Sequence, residues 1–172
     1  MLLWLKLFYF YHQPPMCKRV PMNKPPPFKL LGLDHLGIVP RDMAQARWFF
    51  YEVLQLPLAY AEELPREQVS LVMLGSQMLA APALSPNLEL LAPLAPESPL
   101  SKFLEKKSGG IHHLAFRVDD IRGAIAYLRA HGVGLLSPEP RAGAHGSEVV
   151  FVHPQSTGGI LVELVAQQHH PA

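Results

Sequence analysis

A single cysteine, Cys17, leaves this chain without any intrachain disulfide and without a Cys-x-x-Cys metal site. A lone thiol fits a reducing compartment. Charge is scarce as well: 17% of residues are charged, and 15 basic residues against 14 acidic ones give a net charge of +1. No strong field therefore draws the chain to nucleic acid or to an anionic membrane. Long apolar runs are also missing. Met1 to Tyr11 is interrupted by Lys6 and falls short of the about 20 residues that a spanning helix needs. The same stretch has no basic region before it and no small-x-small site after it, so it does not read as a signal peptide, and it is poor in Arg and Ser for a transit peptide. A cytoplasmic protein is expected, with the mitochondrial matrix as the alternative.

Hydrophobic residues make up 49% of the 172, enough for one substantial core. Pro25-Pro26-Pro27 marks an extended linker, so residues 1–29 are expected to be a loosely ordered extension, with Met22 as an alternative start. Residues 30–168 should form one domain and 169–172, with His169 and His170, a solvated tail.

Within that domain two stretches are near copies. Gly32-Leu33-Asp34-His35-Leu36-Gly37-Ile38 and Gly110-Ile111-His112-His113-Leu114-Ala115-Phe116 each place a histidine in an alternating apolar strand after a glycine. Each strand then ends near an Asp suited to cap a helix, Asp42 in the first copy and Asp119 or Asp120 in the second. The first copy predicts a strand over 30–39, a helix from Met43 to about Leu54 burying Ala46, Phe49, Phe50 and Val53, and strands at 58–61, 69–74 and 88–91. Gly75 to Asn87 reads as a long turn. The second predicts a strand over 111–118, a helix to Ala130, and strands at 133–136, 148–153 and 160–164. The fold class is α+β: two βαβββ modules, about 30–95 and 109–168, joined by a helix at about 98–108 and forming a curved mixed sheet.

Position by position, the copies carry the same chemistry. His35 and His113 are 78 residues apart and Glu89 and Glu163 are 74 apart, with 54 and 50 residues from histidine to glutamate in the two halves. A carboxylate in the middle of an apolar strand is costly unless paired or metal-bound. Two imidazoles and two carboxylates converging from paired modules suit a divalent ion, and mixed N and O ligation accepts Co, Mn, Ni, Fe or Zn alike. Strand parity puts His112 on the face opposite His113, as a packing or supporting residue. His145, in the glycine-rich loop before Gly146, reads equally as a substrate contact or as loop polarity.

These motifs resemble the vicinal-oxygen-chelate superfamily. Leu88-Glu89-Leu90-Leu91-Ala92-Pro93, Gly143-Ala144-His145-Gly146 and His153-Pro154-Gln155-Ser156-Thr157-Gly158-Gly159 make the sequence similar to the methylmalonyl-CoA epimerase branch. The resemblance spans about Leu31 to Gln167. It implies a curved sheet around a divalent metal held by His35, Glu89, His113 and Glu163, a homodimer, and an acyl-CoA substrate whose chiral carbon is inverted between R and S forms. It further implies that Glu163 is both ligand and base; His145 and Gly146, in the glycine-rich loop, are the candidate substrate-binding residues. Inversion needs a second base. Family members with a Glu-Gln-Gly-Val turn carry a Glu on the following strand; here Glu67-Gln68-Val69 lacks the glycine and that position falls near Leu71, which leaves Glu67 as the substitute. A glyoxalase I-like isomerase and a non-enzymatic ligand-binding module of the same fold are the alternatives.

Overall fold

The computed structural model describes residues 25–75 and 86–167. The expected extension and tail, apart from 25–29, and most of the 75–87 turn lie outside the described residues. Strands β1 (Leu30–Val39), β2 (Leu58–Leu64), β3 (Val69–Leu74), β4 (Asn87–Pro93), β5 (Gly110–Val118), β6 (Arg141–Ala142), β7 (Ser147–Val152) and β8 (Val162–Gln167) form one curled sheet. Its order is β2-β3-β4-β1-β5-β8-β7-β6.

That order exhibits the duplication. In each half the first strand pairs in parallel with the last, β1 with β4 and β5 with β8, and the halves join through the antiparallel pair β1–β5. The other strands extend outward as antiparallel ribbons. Both halves therefore read βαβββ. Helix α1 (Met43–Arg47) and helix α3 (Ile121–Ala130) begin at Asp42 and Asp120, whose side chains accept from the N–H groups of Gln45 and Gly123. Helix α2 (Pro99–Lys107) links the modules, capped by Ser98 with Pro99 at its first turn.

Apolar residues pack in layers against these helices. Ile121, Ala124 and Ile125 of α3 cover Val150, Leu164 and Ala166. Leu100 of α2 packs on Val39, Leu71 and Leu91. No helix among the described residues is long and apolar enough to cross a membrane.

Two local expectations fail. The chain past α1 is π-helical over Trp48–Val53, where the Leu54 N–H reaches back to the Phe49 carbonyl five residues earlier. The wider turn rotates the face: Phe49 and Val53, expected inside, are 43% and 49% exposed, while Met43, Ala46 and Phe50 pack on Val72, Leu74 and Leu90. The strand expected at 133–136 shrinks to one bridge between Leu135 and Val152. Gly132 and Gly134 interrupt it, and glycine pays more backbone entropy than any other residue to join a strand.

Candidate metal centre

Strands β4, β1, β5 and β8 lie side by side in mid-sheet, and each contributes one polar residue to a shared buried cluster: Glu89, His35, His113 and Glu163. All four are nearly fully buried, 4–6% exposed. Register explains how they meet. Glu89 and His113 both lie opposite Gly37, and His35 and Glu163 both lie opposite Ala115. Each glutamate–histidine pair thus flanks a small residue that leaves the space between them open.

Within this cluster His35 Nε2 stands 3.1 Å from His113 Nε2 and 3.5 Å from an oxygen of each glutamate. His113 Nε2 stands 3.4 Å from Glu89 Oε2 and 3.0 Å from Glu163 Oε2. With bonds of about 2.0–2.2 Å, adjacent ligand atoms around one metal ion lie roughly 2.8–3.6 Å apart. Every distance falls in that range. Both Nδ1 atoms are occupied elsewhere, His35 with Asp34 at 2.9 Å and His113 with His112 at 3.1 Å, so both Nε2 atoms point inward among carboxylates. Such a convergence of acceptors asks for a cation. His35, His113 and Glu163, whose ligand atoms lie within 4.8 Å of one another, could hold a divalent metal.

Without an ion, protons do the balancing. Burial disfavours the His35 cation, but the hydrogen bonds with Asp34 and Glu163 and the field of Glu89 outweigh it and raise its pKa to about 10. The two glutamates diverge. Burial pushes the Glu89 carboxyl up; at Glu163 burial acts the same way, yet hydrogen bonds from His113 and His35 prevail and hold it below the usual range. His112 is lowered to about 4 by burial and by His113 beside it, so it is a neutral partner, with its ring edge-on to Phe103 of α2.

Comparison with known proteins places this geometry. Residues 34–151 match the Glyoxalase/Bleomycin resistance protein/Dioxygenase superfamily. The mitochondrial methylmalonyl-CoA epimerase of Mus musculus is 37% identical over 140 residues, covering 81% of this chain and 75% of that protein. The chain belongs to the methylmalonyl-CoA epimerase family. The ethylmalonyl-CoA/methylmalonyl-CoA epimerase of Cereibacter sphaeroides is 36% identical over 134 residues, 77% of this chain and 95% of that one. A solved methylmalonyl-CoA epimerase in complex with methylmalonyl-CoA and NH4+ superposes with a TM-score of 0.74 at 31% identity, covering 82% of this chain and 97% of that one.

Around this family centre the structure adds residues that periodicity did not reveal. Asp34 sits at a bulge where β1 shifts register between Leu33 and His35, so it and His35 are both buried. Its carboxylate accepts from Arg117 Nε at 2.7 Å as well as meeting His35; burial raises its pKa, but the His35 and Arg117 hydrogen bonds prevail and lower it. An Asp directly before the histidine was the visible signal.

Beside the cluster lies a cavity of about 240 Å³ lined by Asp34, Tyr60, Met73, Asn87, Arg117 and His145, with Gln167 at its edge. Asn87 is the strand partner of His35, and its buried Oδ1 has no hydrogen-bond partner among the described residues. His145, from the loop between β6 and β7, crosses the mouth of the sheet to stack on Tyr60 of β2, ring centres 4.8 Å apart. Glu67, expected as the second base, lies exposed in the β2–β3 turn. Leu71 is buried under α2.

Proposed function

We propose that this chain interconverts the R and S forms of methylmalonyl-CoA, with His35, Glu89, His113 and Glu163 as ligands of one divalent ion. The observation that carries this reading is the buried cluster of two histidines and two glutamates in a chain from the epimerase family. A hydrogen between a thioester carbonyl and a carboxylate is acidic because its removal gives an enolate. A bound divalent ion supplies positive charge that stabilises such an anion.

The chain's own residues do the rest. Asp34 and His112 fix the ring orientation of His35 and His113 through their Nδ1 atoms. Glu163, kept ionised by both imidazoles, takes the α-proton. Asn87 Oδ1 and the Arg117 guanidinium, both lining the adjoining cavity, offer polar contacts to the acyl portion. Assembly as a homodimer is part of the same proposal, and sedimentation at working concentration tests it.

Exchange of the substrate α-proton in D2O is the decisive experiment. Glu163→Gln, folded and metallated, should lower it at least about 100-fold; undiminished exchange removes Glu163 from the reaction. Turnover of methylglyoxal with a thiol, and none of methylmalonyl-CoA, would move the chain to the glyoxalase-like alternative.

A further inference from the structure

Inverting a carbon centre requires proton transfer on both faces of a planar intermediate, so a group on the side away from Glu163 must complete the reaction. Neither sequence candidate position lines the cavity beside the cluster: Glu67 lies in the β2–β3 turn and Leu71 packs in the apolar core. We propose that His145 is this second proton-transfer residue. The inference rests on the epimerase reading above.

Three observations carry it. First, His145 is in the right place. It lines the cavity that adjoins the metal cluster strand by strand: Asn87 is the pair partner of His35, Met73 that of Glu89, and Tyr60 that of Met73. Glu163 stands on β8 in mid-sheet, whereas His145 comes from the β6–β7 loop at one edge of the sheet and stacks on Tyr60 of β2 at the other.

Second, His145 is held in position at a cost. Its backbone is left-handed, φ 52°, a conformation that side chains other than glycine rarely adopt. The contacts that hold it are long-range: its N–H donates to Glu62 Oε2 at 3.0 Å, and its ring lies nearly parallel to Tyr60, 14° between planes. Glycine stands next to it at Gly146, yet the strained position itself carries the imidazole.

Third, its ring nitrogens make no hydrogen bond among the described residues, and His145 is an exposed residue of the cavity lining. An imidazole can both give and take a proton, as a reversible inversion demands. In one direction the Glu163 carboxylate takes the α-proton, breaking C–H and forming O–H. The imidazolium of His145 then gives its proton to the opposite face, breaking N–H and forming the new C–H bond. The reverse direction exchanges the two roles, and solvent resets both groups.

The test follows each enantiomer separately. In D2O, His145→Gln should lower R/S interconversion at least about 100-fold while the enantiomer whose hydrogen faces Glu163 still exchanges within about threefold of wild type. His145→Gly suits the left-handed backbone and leaves an imidazole-sized gap against Tyr60; added imidazole should restore interconversion at least tenfold. Metal content and far-UV dichroism are read in parallel to establish that both variants fold. Interconversion within threefold of wild type in His145→Gln overturns the proposal. So does equal loss of exchange for both enantiomers without imidazole rescue, the signature of a residue that only binds or supports, and so does loss of interconversion in Glu67→Gln but not His145→Gln. If the wild-type chain exchanges neither enantiomer, the epimerase reading falls first and this assignment with it.

Discussion

The His113 imidazole lies against the bare backbone of Gly37. A Cβ at Gly37 would fall 2.1 Å from His113 Cε1 and 2.6 Å from its Nε2, well inside contact distance. Gly37→Ala must therefore evict the ring from the cluster while leaving the β1–β5 ladder intact. We expect metal affinity to fall at least about 100-fold, as for loss of a ligand's support, with the secondary structure unchanged. Metal content after dialysis, read beside circular dichroism, checks it.

Why Gly37 matters was hidden in the sequence, although the four polar residues of the cluster were not. His35, Glu89, His113 and Glu163 stood out because duplication repeats them at nearly constant spacing, and a mid-strand carboxylate is conspicuous among Leu and Val. Most strands of both modules were legible from a period of two in apolar residues; β6 was not, because its two residues, Arg141 and Ala142, are too few to show a period. Gly37 and Ala115 gain their role from cross-strand register, which no local pattern encodes. Asp34 depends on a bulge that breaks alternation. The Tyr60–His145 stack joins opposite edges of the sheet, 85 residues apart in sequence, so only the curl of the whole sheet brings it about. The π-helical turn after Arg47 was illegible because its residues fit an ordinary amphipathic helix equally well.

Asp34 bridges Arg117 and the His35 ring, which couples a cation lining the cavity to the buried cluster. Asp34→Asn keeps the shape and removes the charge that fixes His35 Nδ1 as a donor. Metal affinity should fall about 10–100-fold, less than for loss of a ligand itself. Competitive titration against a chelator measures it, and an affinity within twofold of wild type would deny Asp34 that role.

Metal loading should release a proton. In the metal-free protein the His35 pKa lies at about 10, so near pH 7.5 the ring is protonated, and a metal binds only neutral imidazole. Affinity should then rise with pH until about 10 and flatten above it. The sign for stability is the opposite: with its folded pKa above the unfolded value of 6.5, His35 stabilises the metal-free fold fully below 6.5 and loses that contribution as pH rises through about 10. Calorimetry of metal binding in buffers of different ionisation enthalpy counts the proton directly, and a count of zero refutes the assignment.

Gln68 ends the β2–β3 turn in a left-handed conformation, φ 56°, at the position where the sequence lacks an expected glycine. The turn keeps its shape nonetheless, closed by the Gln68 N–H to the Pro65 carbonyl at 3.2 Å, with its strain stored in one residue. A side chain in that region costs about 1–2 kcal/mol, and glycine removes that cost while adding backbone freedom to the unfolded chain. Gln68→Gly should thus raise stability by a net amount of about 0.5–1 kcal/mol. The turn lies away from the cluster, so epimerisation should be unchanged. Urea unfolding with a constant m-value would register the gain as a higher midpoint; a lower midpoint would mean that the Gln68 side chain contributes more to the fold than its backbone strain removes.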